Sequence, residues 1–164
     1  MATVNLSDYD INSVPSAKGM RFGIIISEWN NEITEALFEG AYNTLIKHGA
    51  SQDDIIKEYV PGTFELTYGA KLMMNHKELD AIIVLGCVIQ GETRHFDFIC
   101  QGVAQGITEI NREGQMPIIF GVLTTENQQQ ALDRSGGKHG NKGDEAGVTA
   151  IKMLAFKNRQ LGSD

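Results

Sequence analysis

AIIVLGCVIQGETRHFDFI, residues 81–99, carries the chain from a buried strand through a polar turn into a helix. Ala81 to Leu85 is an apolar, β-branched run too short for a helix and stopped by Gly86, so it reads as a strand covered on both faces. A turn containing Gly91 follows. From Phe96 to Glu113 apolar residues return at helical spacing, with Phe96, Ile99, Val103, Ile107 and Ile110 on one stripe and Gly114 at the end. The same alternation extends outward on both sides. Upstream, Arg21 to Ser27 (RFGIIIS) reads as a buried strand and Asn31 to His48 as a helix with Ile33, Leu37, Ala41 and Leu45 inward and Gly49 at its C′ position. Ile55 to Val60 is a strand closed by Pro61-Gly62, and Phe64 to Asn75 a helix with Leu66, Ala70, Met73 and Met74 inward. Downstream, Pro117 precedes a strand from Ile118 to Leu123. Two helices, Glu126 to Ser135 and Asp144 to Lys157, are split by GGKHGNKG (residues 136–143).

Strands alternating with helices build a parallel sheet with right-handed crossovers and helices on both faces. The expected architecture is a doubly wound, flavodoxin-like three-layer α/β/α sandwich. With 164 residues, 41% of them hydrophobic, the chain suits one domain with an ordinary core, and disorder is excluded as its overall state. That domain is placed at 21–158. Residues 1–20 are irregular, with a strand-like piece at Val4 to Leu6, and 159–164 form a polar tail. No apolar run approaches the roughly 18 residues of a membrane span, and MATVNLSDYD lacks the basic flank and apolar stretch of a secretory signal. Cys87 and Cys100 lie within apolar stretches and suggest no disulfide framework, so a reduced cytoplasmic setting is expected. A net charge of −7 argues against a nucleic-acid partner and requires an anionic ligand to meet locally gathered basic groups.

Ligands of such sheets bind outside the carboxyl ends of the strands. Those ends are Ser27 to Asn31, Val60 to Glu65, Gly86 to His95 and Leu123 to Thr125. Backbone N–H groups near Glu92, Thr93 and Arg94, at the start of a helix, suit a phosphate or carboxylate. The plainer view makes Thr93 an N-cap and Glu92 a first-turn acid. His95 sits in the same turn, where an imidazole, which titrates near neutrality, can face the crevice and move protons. Asp97 either orients it or faces solvent. His48 ends a helix and suits its dipole as a structural residue, His76 lies in the polar NHKELD loop, and His139 in GGKHGNKG is ambiguous. That last segment fails the Walker pattern, since Asn141 stands five residues after Gly136 and Lys142 is followed by glycine. Arg134, Lys138 and Lys142 nevertheless gather positive charge there. Glu65 is either a helix-dipole partner or an acceptor for polyol hydroxyls, and Trp29, the sole tryptophan, either covers the core or stacks on a planar ring. No histidines, cysteines or carboxylates have metal-site spacing, so no metal is expected.

Five segments in one order, SEWNNEIT (27–34), PGTFEL (61–66), GCVIQGETRHFDFI (86–99), PIIFGVLTTEN (117–127) and DRSGGKHGNKGDEA (133–146), resemble the lumazine synthase family. The resemblance runs from about Arg21 to Lys157. It implies an enzyme without metal or organic cofactor that condenses 5-amino-6-(D-ribitylamino)uracil with 3,4-dihydroxy-2-butanone 4-phosphate. The products are 6,7-dimethyl-8-ribityllumazine, phosphate and water. By the same resemblance Trp29 stacks on the pyrimidine, where the family more often has phenylalanine. Thr63, Phe64 and Glu65 hold the ribityl chain, with Thr63 in place of the usual alanine. Cys87, Val88 and Ile89 offer backbone contacts to the pyrimidine edge, and Phe120 and Lys142 are further pocket positions. Glu92 and Thr93 form the phosphate turn, Arg134 reaches in from a neighbouring subunit, and His95 is the general base. Gln90 stands where many relatives carry arginine and is given no ionic role. The resemblance also implies homo-pentamers, twelve of which assemble into an icosahedral shell in some relatives, and association with riboflavin synthase. The compact GGKHGNKG leans toward the shell, and the N-terminal segment toward adding a strand to a neighbour's sheet.

Three other readings compete. A flavodoxin-type flavin module calls for a hydroxyl-rich phosphate loop after the first strand, where this chain has Ser27-Glu28-Trp29-Asn30. A phosphoacceptor receiver domain needs an aspartate at a strand end, where this chain has Leu85-Gly86. A non-catalytic lumazine-binding or shell-forming protein of the same fold has no use for His95, Arg134 and Glu65 together.

Overall fold

The structure is a computed structural model and describes residues 5–76 and 78–162. Four strands, β1 (Phe22–Ser27), β2 (Ile55–Val60), β3 (Ala81–Ile89) and β4 (Ile118–Thr125), form one parallel sheet in the order β2-β1-β3-β4. The crossovers are α1 (Asn31–Lys47), α2 (Leu66–His76) and α3 (His95–Arg112). After β4 come a short α4 (Gln128–Leu132), an antiparallel pair β5 (Ser135–Gly137) and β6 (Gly140–Asn141), and the long α5 (Lys142–Leu161).

Because β1 and β3 are flanked by strands and covered on both faces, their side chains are buried almost without interruption. One face, with Ile24, Ile26, Ile83 and Leu85, packs against Leu37, Ala41 and Leu45 of α1 and Ile151 and Leu154 of α5. The other, with Ile25, Ile82 and Val84, packs against Leu66 and Ala70 of α2 and Val103 and Ile107 of α3. This is the three-layer sandwich expected from the alternation, and its strand order follows the flavodoxin pattern.

Several boundaries differ from the expected ones. The third strand does not stop at Gly86 but continues to Ile89, and the fourth continues past Leu123 to Thr125, with Gly86 paired to Val122 and Ile89 to Thr125. Glycine at 86 provides room rather than a break: a Cβ there would lie 2.8 Å from Thr63 Oγ1 and 2.9 Å from Leu66 Cδ1. The helix expected from Phe64 opens with a 3-10 turn, Thr63–Glu65, and becomes α-helical at Leu66. The segment expected as a helix from Glu126 to Ser135 is helical only over Gln128–Leu132, and GGKHGNKG is a tight hairpin. Gly136 (φ 120°) and Gly140 (φ 76°) supply its positive-φ backbone. The last helix starts two residues earlier than expected, because Asn141 caps it by accepting from the Gly143 N–H. It runs to Leu161, so Arg159 to Leu161 belong to it and not to a polar tail; Gly162, in the left-handed region, ends it.

Of the strand-like piece Val4 to Leu6, Val4 lies outside the described residues and Leu6 sits in a turn. The Leu6 N–H donates to the His139 carbonyl at 2.7 Å, and the Asn141 N–H donates to Ser7 Oγ at 2.9 Å. Within one chain this segment therefore clings to the β5–β6 hairpin rather than pairing with the sheet.

Candidate active site

At the carboxyl ends of β1, β2 and β3, beside the start of α3, lies an open cleft of about 740 Å³. Trp29, Thr63, Phe64, Glu65, Cys87, Val88, Ile89 and His95 line it, together with Asn30, Gly62 and Ile99. Each wall follows from the fold. The link from β1 to α1 is stitched to the end of β2: the Glu28 N–H donates to the Val60 carbonyl (2.9 Å) and the Trp29 N–H to that of Pro61 (3.2 Å). Trp29 is 73% exposed and lines the cleft, so it covers the cleft and not the core. The 3-10 turn buries Thr63, whose hydroxyl stands 3.5 Å from that of Ser27, and turns Phe64 and Glu65 outward.

The extra length of β3 has a chemical consequence. Its pairing with β1 ends at Leu85, whereas its pairing with β4 continues to Ile89. Over Cys87, Val88 and Ile89 the edge facing β1 is thus left without a strand partner, and on it the Cys87 carbonyl accepts from Asn30 Nδ2 at 2.9 Å instead. Burial pushes the Cys87 thiol up to about 11, so it stays protonated and acts as apolar wall, not as a nucleophile.

His95 is the first residue of α3, and its N–H donates to Thr93 Oγ1 at 3.4 Å. Glu92 and Thr93 are exposed in the turn that precedes it, where the free N–H groups and dipole of an 18-residue helix favour an anion. Asp97 is turned toward Arg94 (3.7 Å) instead of orienting His95. His48 is structural for a different reason from the expected helix dipole: its Nε2 is 3.2 Å from the Tyr9 hydroxyl, and burial, with Lys47 nearby, lowers its pKa and disfavours the charged ring.

Five of the expected site residues are not among those lining this cleft in the single chain: Glu92 and Thr93, in the turn before α3, and Phe120, Arg134 and Lys142. Phe120 is half-exposed on edge strand β4, opposite Val84. Arg134 donates from its guanidinium to the Gln130 carbonyl (3.0 Å), and Lys142 pairs with Glu145 (2.5 Å). Conversely, Asn30 lines the cleft although the sequence gives it no site role beyond its place in the strand-end segment Ser27 to Asn31. An asparagine directly after a strand-end aromatic was the available signal, since asparagine tolerates left-handed backbone. Among the described residues no three His, Cys, Asp or Glu side chains gather in a way that would hold a metal ion, and no helix is long and apolar enough to cross a membrane.

A parallel α/β/α sandwich whose cleft joins an aromatic face, an open peptide edge, a carboxylate and an imidazole defines a small-molecule site of the strand-end type. Residues 19–158 match the family model described as 6,7-dimethyl-8-ribityllumazine synthase. Proteins named 6,7-dimethyl-8-ribityllumazine synthase are 60% identical in Parabacteroides distasonis (95% of this chain, 99% of that one) and 56% identical in Phocaeicola vulgatus (97% and 96%). A third, from Porphyromonas gingivalis, is 59% identical over 96% of this chain and 99% of its own length. The chain belongs to the 6,7-dimethyl-8-ribityllumazine synthase family.

Proposed function

We propose that this cleft condenses 5-amino-6-(D-ribitylamino)uracil with 3,4-dihydroxy-2-butanone 4-phosphate, giving 6,7-dimethyl-8-ribityllumazine, phosphate and water. The observation that carries the proposal is the convergence of Trp29, Glu65, the open edge of Cys87 to Ile89 and His95 on one cavity. The pyrimidine stacks on Trp29, and its polar edge meets the backbone of Cys87, Val88 and Ile89. Glu65 accepts hydrogen bonds from ribityl hydroxyls beside Thr63 and Phe64. The phosphate ester lies at the start of α3 against Glu92 and Thr93.

The chemistry needs no nucleophilic side chain. The pyrimidine amine attacks the ketone and water leaves to form an imine; phosphate is then eliminated, and the enol tautomerises and closes the ring with loss of water. His95 takes and returns the protons, and holding both substrates in one cleft supplies much of the rate. Phosphate departure in a protein of net charge −7 calls for a cation. Arg134, whose planar fork suits phosphate, fills that role from a neighbouring subunit, with Phe120 and Lys142 completing the pocket from the same side.

Such a site requires a homo-oligomer. The exposed aromatics Tyr68 and Phe98, together with half-exposed Phe64 beside the cleft, suit coverage by a second copy. The assembly we propose is a pentamer, twelve of which close into an icosahedral shell, in the cytoplasm and in association with riboflavin synthase. Incubating the protein with both substrates and following lumazine absorbance tests the reaction: product formation supports it, and its absence with active substrates refutes it. Light scattering tests the assembly, since a pentamer and a shell differ about twelvefold in mass.

A further inference from the structure

Asn30 is the only residue other than glycine with positive φ among the described residues (φ 59°, ψ 44°). It stands at the N-cap position of α1 and makes no side-chain cap, although asparagine is among the best capping residues. Its carbonyl accepts from the N–H groups of Ile33 (2.9 Å) and Thr34 (3.1 Å), so the backbone alone opens the helix. The carboxamide is left to reach across the sheet, where Nδ2 donates to the Cys87 carbonyl at 2.9 Å. That carbonyl lies just beyond the last β1–β3 pair, Ile26 with Leu85. The side chain of Asn30 thus continues the tie between these two strands where their ladder has ended.

This tie also fixes the neighbouring indole. Trp29 is held on one side by its own N–H on the Pro61 carbonyl and on the other by the left-handed turn of Asn30. The residue as a whole is 73% exposed, so little packs against it. Its place over the cleft is therefore set by the backbone that carries it. The geometry points to Asn30 as a positioning residue of the reaction: its left-handed backbone and its clamp on the Cys87 carbonyl hold Trp29 at a fixed distance from the peptide edge of Cys87 to Ile89, so that a planar ring fits between them. This rests on the proposal that Trp29 stacks on the pyrimidine.

Three variants separate backbone from carboxamide. Asn30→Gly keeps the left-handed backbone and removes the clamp. Asn30→Ala removes the clamp and strains the backbone. Asn30→Asp tolerates the backbone but sets a carboxylate against the Cys87 carbonyl. Because Trp29 is the sole tryptophan, its fluorescence anisotropy reports the mobility of this one ring in the unliganded protein. The expected result is lower Trp29 anisotropy in all three variants, with KM for the pyrimidine raised about fivefold in Asn30→Gly, the loss of one hydrogen bond. Asn30→Ala and Asn30→Asp should rise further, while kcat and its pH profile hold. An Asn30→Gly protein with unchanged anisotropy and KM overturns the clamp, leaving only a backbone role. A raised KM with unchanged anisotropy overturns positioning in favour of direct contact. Lower anisotropy with unchanged KM refutes the stacking role of Trp29, and with it any part for Asn30 in the reaction.

Discussion

Substituting Gly86 with alanine should damage both the stability of the fold and the shape of the cleft. A Cβ at residue 86 would stand 2.8 Å from Thr63 Oγ1, 2.9 Å from Leu66 Cδ1 and 3.0 Å from Thr63 Cγ2, where ordinary contact begins at 3.4 Å. Something must therefore yield by about half an ångström. Neither neighbour yields cheaply, because Leu66 is fully buried and Thr63 is a stiff β-branched side chain that is itself buried. Overpacking of this kind costs about 2 kcal/mol, which lowers Tm by about 6 °C in a domain of this size. The displaced turn carries Phe64 and Glu65 into the cleft, and a shift of about half an ångström should lower kcat/KM about tenfold. Thermal melting and steady-state kinetics with both substrates measure the two effects. Adding Thr63→Ala removes two of the three close contacts, so the double variant should regain most of both losses, a coupling that distant sites do not show. Unchanged Tm in Gly86→Ala, or strictly additive losses in the double variant, would refute the claim that glycine is there to admit Thr63.

Three further outcomes are expected. Gly143→Ala should prevent folding, with a cost above about 4 kcal/mol, because its Cβ would lie 1.8 Å from the Leu37 carbonyl oxygen and 2.9 Å from the Ala41 N, backbone atoms of α1 that cannot rotate away; circular dichroism of the purified variant checks this. In the folded protein Cys87 should resist alkylation at pH 8 and react only as pH nears the value of about 11 to which burial pushes its thiol, as mass spectrometry can follow. The Glu35–Lys57 pair should stabilise the fold between the ordinary carboxylate and lysine ranges. Burial opposes both charges, but is outweighed by the Lys57 and Tyr59 hydrogen bonds to Glu35, which hold its carboxyl down, and by those to Tyr59 and Glu35, which hold Lys57 up. The carboxylate contribution is present above the ordinary range and lost as pH falls through the lowered value; the ammonium contribution is lost only as pH rises through the raised one. Glu35→Gln should thus be less stable than the parent at neutral pH and equal to it in acid, as denaturation at both pH values would show.

Much of the fold is legible because burial on both faces leaves a mark in residue type: IIIS and AIIVL can be little else than strands of a parallel sheet. Gly86 misleads for a physical reason, since a glycine that stops a strand and one that makes room for a neighbour are the same letter, and only the approach of Thr63 tells them apart. GGKHGNKG misleads likewise, because glycines that loosen a loop also permit the positive φ of a tight hairpin. In the cleft, Trp29, Glu65 and His95 are recognisable by their places at strand ends, whereas Asn30 is not, as its task depends on the Cys87 carbonyl 57 residues away. Arg134, Phe120 and Lys142 can be named from the resemblance, yet no single chain brings them to the cleft that His95 lines.

The proposed division of the site between two copies can be measured directly. His95→Ala and Arg134→Ala proteins, each nearly inactive alone, are unfolded together and reassembled as mixed oligomers, and lumazine formation is followed. If the imidazole and the guanidinium of one site come from different subunits, random mixing leaves about a quarter of the sites with both groups intact, and about a quarter of the parent activity should return. If both groups act within one chain every site carries a lesion, and a mixture no more active than its two components would contradict the account.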